Sequence, residues 1–139
     1  MRGQMTIDTA GLEVLGRPEC LRLLAAAPIG RIVFSDRALP AVQPVNFALY
    51  GTDIVVRTAP ESRLARATRD AVVAFEVDDF DVAARTGWSV MVVGIARAVT
   101  DPDEIAELAV LPLDPWAPGP KPHLIRIETD IVTGRRIPA

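Results

Sequence analysis

The sequence is poor in the residues that build disulfides and metal centres. Its 139 residues include one cysteine, Cys20, and one histidine, His123. A single thiol cannot form an internal disulfide, and one cysteine with one histidine cannot supply the ligand set of a zinc site. We therefore expect no metal site and a reducing, cytoplasmic setting.

Strong charge and long apolar runs are also missing. The formal net charge is −3, so no global field would attract nucleic acid or an anionic membrane. No stretch approaches the roughly 18 uncharged apolar residues of a membrane span, and the N-terminus lacks the apolar region of a signal peptide. We therefore expect neither a nucleic-acid nor a membrane partner.

Residues for nucleophilic catalysis are scarce. Serine occurs only as Ser35, Ser62 and Ser89, and with one histidine in the chain a Ser-His-Asp triad is disfavoured. The sequence contains no glycine-rich phosphate loop of the Walker or Rossmann type. Lysine occurs once, against 14 arginines; coding bias is the simplest explanation, although two or three guanidinium groups could grip a phosphate.

What the chain does contain is enough apolar residues for one hydrophobic core. Half of the residues are hydrophobic and 24% are charged, which is the composition of an ordinary globular domain. At this length roughly two-thirds of the unfolded surface can be buried. We predict a single domain over 1–139, in which residues 1–10 form a loose N-terminal arm.

The hydrophobic pattern predicts three helices and six strands. Helices are expected from Pro18 to Pro28, from Ser62 to Thr68 and from Asp101 to Leu108. Strands, in which apolar residues alternate with polar ones or run together, are expected over 31–34, 40–50, 54–58, 71–78, 87–100 and from His123 to Ile131.

The fifth predicted strand, Gly87–Thr100, is apolar on both faces, so both faces should be covered. Its fourteen residues, if fully extended, span about 43 Å, whereas a globule of this length is under about 40 Å across. The strand should therefore coil, with Gly94 as the place to bend. These features predict a mainly β fold, an antiparallel barrel with helices at its ends, and a homodimer.

Four residues near the end of the third strand could form an anion site. Arg57 and Thr58 end the strand, and Ser62 and Arg63 open the next helix. Two guanidinium groups, two hydroxyls and free helix N–H groups could converge there on a phosphate. Spacing alone does not separate this interpretation from a serine N-cap flanked by two surface arginines.

The neighbouring strand contains Pro44-Val45-Asn46-Phe47. Proline and a bulge would leave backbone N–H and C=O groups free to bond the edge of a flat heteroaromatic ring. Taken alone, this run is better explained as an ordinary edge strand, and His123 is better explained as a core or rim histidine.

In their order and spacing, several segments together resemble the pyridoxamine 5′-phosphate oxidase-like superfamily of FMN-binding split barrels. The resemblance runs from about Cys20 to Ile137 and is carried by Ile29-Gly30-Arg31, Pro44-Val45-Asn46-Phe47, Arg57-Thr58, Ser62-Arg63-Leu64, Phe75-Glu76-Val77-Asp78, Gly87-Trp88-Ser89-Val90 and Thr133-Gly134-Arg135-Arg136-Ile137. It implies a six-stranded antiparallel split β-barrel, a homodimer with two flavins at its interface, and an oxidoreductase that acts on a small molecule.

The resemblance also implies which residues bind the cofactor. The positions that hold the FMN phosphate are occupied by Arg57, Thr58, Ser62 and Arg63. The positions that line the isoalloxazine ring are occupied by Pro44, Val45, Asn46 and Phe47. Ser89, with Trp88 beside it, would approach the ring from the second subunit, and Trp116 would form a lid over the same cleft.

The sequence departs from pyridoxamine phosphate oxidases proper near its C-terminal end. The aromatic and basic run expected there reads Arg126-Ile127-Glu128-Thr129-Asp130, without a tryptophan, so we do not expect pyridoxamine phosphate to be the substrate. The deazaflavin F420 is the alternative cofactor. The alternative functions are a non-catalytic module that binds a flavin, or haem through a residue such as His123, and a barrel without a ligand.

Overall fold

The computed structural model describes residues 5–138, which form ten strands and three helices. The strands are β1 (Thr6–Ile7), β2 (Glu13–Leu15), β3 (Ile29–Asp36), β4 (Leu39–Asn46), β5 (Ala48–Tyr50), β6 (Asp53–Thr58), β7 (Ala71–Asp81), β8 (Thr86–Ala98), β9 (His123–Ile127) and β10 (Ile131–Ile137). The helices are α1 (Arg17–Ala26), α2 (Arg63–Ala67) and α3 (Pro102–Leu108).

The helices begin where the sequence provides a cap or a proline, which confirms the three predicted helices. The Ser62 hydroxyl accepts from the Ala65 N–H at 3.0 Å at the start of α2, and Asp101 accepts from the Glu104 N–H at 3.3 Å at the start of α3. The first helix, α1, has a proline in its first turn. None of the helices within residues 5–138 is long and apolar enough to cross a bilayer.

The strands pair antiparallel in the order β1-β2-β10-β8-β7-β3-β4, with β9, β6 and β5 joined through the second half of β8. Residues 86 to 96 of β8 pair with the whole length of β7. On its other edge, β8 pairs with β10 from residue 87 to 93 and with β9 from residue 96 to 98. The second partner of β8 therefore changes at Gly94. The predicted mainly β, antiparallel architecture with few helices is confirmed.

The predicted number of six strands was wrong. The expected strand 40–50 is interrupted at Phe47, whose buried ring packs edge-on against Phe75 at a centroid distance of 4.8 Å. The last expected strand, from His123 to Ile131, ends at Ile127 as β9, and β10, which begins at Ile131, was not predicted. Two short strands, β1 and β2, precede α1; β1 falls in the stretch predicted as a loose arm, of which residues 1–4 lie outside the described part. Within residues 5–138 no ladder joins β4 to β5 or β6, so the sheet does not close.

Two hydrophobic clusters flank β6 and decide where its polar end points. Val56 faces the main core around Phe75, and Val55 faces a smaller core beneath α3. Successive side chains of a strand point to opposite faces. Thr58 therefore lies on the side of the main core, and Arg57 lies on the side of α3.

At Gly94 the backbone of β8 lies so close to the backbone of Glu128 that there is no room for a side chain. A Cβ at this position would overlap the carbonyl oxygen of Glu128, whose own N–H donates to the Ile95 carbonyl at 3.2 Å. We expect Gly94→Ala to lower the free energy of unfolding by about 2–3 kcal/mol, because β8 and the segment that connects β9 to β10 must move apart. Urea denaturation measures this quantity.

Gly16→Ala is the control for Gly94→Ala. A Cβ at Gly16 would meet nothing closer than Pro18 Cδ at 3.8 Å, and replacing a glycine N-cap costs less than about 1 kcal/mol. Equal losses of stability in the two variants would show that the strand crossing does not require a glycine.

Candidate functional site

A cleft of about 570 Å³ lies between the end of α1, the break after β4 and the loop that follows α3. Phe47 forms part of its apolar wall, and Trp116 stands at its edge with 71% of its surface exposed. The break at Phe47 creates this cleft because it ends the pairing of β4 and lets the chain turn towards β5. The predicted ring-lining residues Asn46 and Phe47 thus share a cleft with Trp116, the predicted lid.

Asn46 joins the three walls of the cleft. Its Nδ2 donates to the Pro28 carbonyl at 3.2 Å, and its Oδ1 accepts from the Trp116 N–H at 2.8 Å. One side chain on β4 therefore fixes both the end of α1 and the loop after α3. The sequence pattern pointed to the backbone of this strand as the polar surface, and it did not indicate the bridging role of the Asn46 amide.

Arg57 lines a second, smaller cleft of about 250 Å³, together with Asp114 and Lys121. Leu113 and Asp114 line both clefts, so both clefts border the loop that follows α3. The Nε of Arg57 is buried and has no hydrogen-bond partner among residues 5–138. Because an unpaired buried donor costs free energy, this nitrogen indicates a place where an acceptor can bind.

The structure separates the four predicted phosphate contacts. The hydroxyls of Thr58 and Ser62 lie 2.9 Å apart. Arg63 turns towards β3, where its Nε is 3.6 Å from Asp36 Oδ2 and its guanidinium lies 5.6 Å from the centre of the Phe34 ring. Thr58 and Ser62 are thus together, while Arg57 and Arg63 lie apart from them.

Trp88 and Ser89, the other predicted cofactor contacts, lie on β8 and do not line either of these clefts. Trp88 lines a neighbouring cavity of about 460 Å³ that also includes Arg31 and Asp78. This cavity and the Asn46 cleft both border the last turn of α1. Within one chain, Ser89 therefore does not reach the cleft, and its predicted approach from a second subunit stays a prediction.

The outward face of β3 and β7 carries a charged cluster beside Trp88. Arg31 Nη1 lies 3.3 Å from Asp78 Oδ1 and 3.6 Å from Glu76 Oε1. Burial, followed by the hydrogen bond and charge of Asp78, raises the pKa of Glu76 to about 7, against the opposing effect of Arg31. The Phe75-Glu76-Val77-Asp78 alternation placed both carboxylates on one face, but the sequence did not reveal that they share one arginine.

His123 is half-buried at the start of β9, directly opposite Thr58. Its Nε2 is buried without a hydrogen-bond partner among the described residues. Burial, and then the charge of Arg69, lowers the pKa of this imidazole, so His123 is neutral at pH 7.

Lys121 is the residue at these clefts that sequence reasoning missed. Its Nζ donates to the Pro118 carbonyl at 2.6 Å. The available signal was its uniqueness: the only lysine of an arginine-rich chain lies in the proline-rich loop before β9. Hydrophobic periodicity gives no information about such a loop, so only the structure shows that Lys121 lines the Arg57 cleft.

The chain is similar to known proteins both in sequence and in fold. A family model described as pyridoxamine 5′-phosphate oxidase matches residues 16–136. The uncharacterized protein Rv0080 of Mycobacterium tuberculosis is 42% identical over 130 residues, which cover 90% of this chain and 85% of that protein.

Solved structures with the same fold include two proteins that bind FAD. The FAD binding protein from Mycobacterium smegmatis superposes with a TM-score of 0.76 at 36% identity, covering 88% of this chain and 96% of that chain. An FAD-binding protein from Mesorhizobium loti has a TM-score of 0.73 at 23% identity, covering 90% of this chain and 97% of that chain. At the identity of the second protein the likeness concerns the fold alone.

The Asn46 bridge predicts how the Trp116 loop responds to substitution. We expect Asn46→Ala to accelerate hydrogen exchange at the Trp116 amide, because its acceptor is lost, and to destabilise the protein by about 1 kcal/mol. Amide exchange followed by NMR or mass spectrometry measures the effect.

Asn46→Asp is the matched control, since a carboxylate oxygen can still accept from the Trp116 N–H while the donor to Pro28 is lost. Its Trp116 amide should remain slow to exchange. If Asn46→Ala leaves this exchange rate unchanged, Asn46 does not hold the loop.

Proposed function

Because the chain belongs to the pyridoxamine 5′-phosphate oxidase-like family, we propose that it binds a flavin and is an oxidoreductase acting on a small molecule. The observation that carries this proposal is that two clefts border the loop after α3. The cleft at Phe47 and Trp116 suits a flat ring, and the cleft at Arg57 and Lys121 suits a phosphate. The FAD-binding relative from Mycobacterium smegmatis supports the proposal.

The buried, unpaired Nε of Arg57 fits the phosphate of such a cofactor. We also propose Thr58, Ser62 and Arg63 as phosphate contacts. Because Arg57 and Thr58 face opposite sides of β6, all four side chains can reach one phosphate only beyond the end of this strand, at Thr58. Arg63 can reorient at little cost, since its ion pair with Asp36 is long, at 3.6 Å, and its side chain is 54% exposed. The proposed ring contacts are Pro44, Val45, Asn46, Phe47 and Trp116, with Trp88 and Ser89 supplied by a second subunit.

The flavin would supply the hydride or electron transfer, so the chain needs no nucleophile of its own. Its residues bind and orient the ring, and Trp116 limits the access of water to the cleft. Asn46 presents an amide at the wall where the edge of the ring would lie. A small substrate would enter from the open side of the groove.

We do not propose pyridoxamine phosphate as the substrate. Arg126 stands in the C-terminal run that departs from the oxidases proper, and it is already engaged within the fold. Its Nε lies 2.8 Å from Asp53 Oδ2, its Nη1 lies 2.9 Å from Glu104 Oε2, and its guanidinium stacks 5.2 Å from the centre of the Tyr50 ring. These contacts fix α3 to the sheet and leave Arg126 unavailable to a substrate.

A flavin titration tests the function. We expect FMN to bind, with F420 as the alternative and FAD as the ligand suggested by the relative, each followed by its absorbance and fluorescence. Arg57→Ala combined with Arg63→Ala should weaken FMN binding by about 3 kcal/mol or more, roughly a hundredfold, because two charge-assisted contacts are lost.

Arg66→Ala with Arg85→Ala is the matched control, because it also removes two positive charges, here from exposed arginines of α2 and of the turn between β7 and β8, and should leave the affinity unchanged. A colourless protein that takes up none of the three cofactors contradicts the proposal. Bound flavin without turnover of electron acceptors would instead identify a binding module, and a Soret band would identify haem.

We further propose that the chain forms a homodimer through the outward face of the sheet. The register places the exposed Val72 opposite the exposed Ile95, and the half-buried Val93 opposite the exposed Ile131, so apolar side chains lie side by side on this face. Such a contiguous patch is unusual on a monomer. The exposed members of this patch, which we call the outer apolar patch, are Val42 (61%), Val72 (69%), Met91 (44%), Ile95 (45%) and Ile131 (57%).

The charges beside the outer apolar patch favour a second copy as its partner. Met91 lies opposite Glu76, and Glu76 belongs to the cluster that also contains Asp78 and Arg31. A surface with both signs of charge beside an apolar centre can be self-complementary about a two-fold axis. The dimer would also bring Ser89 of one protomer to the cleft of the other, as the family resemblance implies.

Ile95→Glu tests the dimer by placing a carboxylate within the outer apolar patch. We expect the unchanged protein to sediment as a dimer and the variant as a monomer, because an unpaired charge is costly to bury. Val110→Glu is the control, at a site that is 82% exposed and outside the patch, and it should remain dimeric. A variant Ile95→Glu that stays dimeric contradicts this interface.

A further inference from the structure

An apolar row crosses five strands on the outward face of the sheet. Directly opposed side chains of antiparallel strands share a face, and the register aligns five apolar residues in this way. From β4 to β10 they are Val42, Val33, Ala74, Val93 and Ile131. The two ends of this row, Val42 and Ile131, belong to the outer apolar patch, so a second copy that docks on the patch covers the row.

Glu76 lies in the middle of the adjacent row. Residues two positions apart along a strand share a face, and they are about 7 Å apart. The row beside the apolar row therefore consists of Pro44, Arg31, Glu76, Met91 and Thr133. Glu76 is the central member of this row, and its side chain is 32% exposed. A second copy that covers the apolar row therefore also removes Glu76 from water.

The charges around Glu76 do not balance when its carboxyl group is ionised. Arg31 Nη1 lies 3.6 Å from Glu76 Oε1 and 3.3 Å from Asp78 Oδ1, so one guanidinium group serves two carboxylates. These three groups then carry one net negative charge, which is costly to bury without a partner.

The elements packed around this cluster do not supply a second cation. On β8 the residues opposite Glu76 and Asp78 are Met91 and Ser89, which are uncharged. On β10, Arg135 stands opposite Ser89, but its Nε donates to Asp8 Oδ2 at 2.9 Å. The residues of α1 that border Arg31 and Asp78 are uncharged.

A proton on Glu76 removes the imbalance, because Arg31 then pairs with Asp78 alone. In the single chain, burial and the neighbouring Asp78 already raise the pKa of Glu76 to about 7, against the opposing effect of Arg31. Further burial in an interface disfavours the charged form more strongly. Association of two copies therefore favours binding of a proton at each Glu76.

We propose that Glu76 makes the association of two copies pH-dependent, because the dimer holds this carboxyl group in its protonated form and weakens when it ionises. The inference rests on the homodimer proposed above and assigns to it a regulation by pH. At pH values below the pKa of Glu76 in the free protomer, both states are protonated and the dissociation constant does not change. Above that pKa the free protomer releases the proton first, so the dissociation constant rises with pH.

Sedimentation at about pH 6 and about pH 9 tests this proposal. We expect the dissociation constant of the unsubstituted dimer to be about tenfold to a hundredfold larger at the higher pH, since each of two Glu76 side chains contributes up to about tenfold for a pKa raised by about one. For a dimer too tight for sedimentation, the rate of subunit exchange between labelled protomers gives the same comparison.

Glu76→Gln imitates the protonated carboxyl group. This variant should have the same dissociation constant at both pH values, equal to that of the unsubstituted protein at about pH 6. Glu61→Gln is the matched control, because it removes an exposed carboxylate just before α2 and should retain the full pH dependence.

Asp78→Asn identifies Glu76 as the group that titrates. It leaves Arg31 to Glu76 alone and removes the neighbour that raises the pKa of Glu76, so the rise of the dissociation constant should begin at lower pH. An effect of pH on another part of the protein would not move with this substitution.

The outcomes separate this regulation from the dimer on which it rests. A dissociation constant that is equal at both pH values, or that falls as pH rises, overturns the role of Glu76 while the dimer stands. A pH dependence that persists unchanged in Glu76→Gln, or whose onset does not move in Asp78→Asn, also overturns it. An unsubstituted protein that is monomeric at both pH values overturns the dimer and its regulation together.

Discussion

The site depends on one strand, β8, that exchanges one partner for another along its length. Before Gly94 it pairs with β10, and beyond it with β9, while Glu128 crosses so closely that a side chain at residue 94 has no space. The exchange divides the sheet and places β6 between two separate cores. Because β6 has a core on each face, its last residues are directed to opposite sides, and this sets the position of Arg57.

The alternation of side chains along β6 explains why four residues were predicted to contact one phosphate although the fold directs them to different sides. Arg57 and Thr58 are neighbours in the chain, and a strand turns neighbours to opposite faces. Thr58 meets Ser62, as the spacing of four residues allows. Arg57 instead lines a cleft together with the loop that carries Lys121. No local sequence pattern predicts that this loop lies there. The correct elements were predicted, but the faces of their last residues were decided by tertiary packing.

The difference between local sequence signals and tertiary packing also explains which other predictions were confirmed and which features were missed. Helix starts at Ser62 and Asp101 were predictable, since a capping side chain bonds to a backbone N–H three residues on. The break at Phe47 was not predictable, because it depends on the packing of the Phe47 ring against Phe75 across the core. Nor did composition reveal that Asn46 bridges α1 and the Trp116 loop, since its partners come from distant parts of the chain.

Asn46 can hold that loop and still contact a ring. A side-chain amide has two N–H donors and an oxygen with two lone pairs, and the two bonds to Pro28 and Trp116 use one donor and one lone pair. One of each remains for the donors and acceptors at the edge of a heteroaromatic ring. The loop that carries Trp116 therefore need not be released when a ligand enters the cleft beside Asn46.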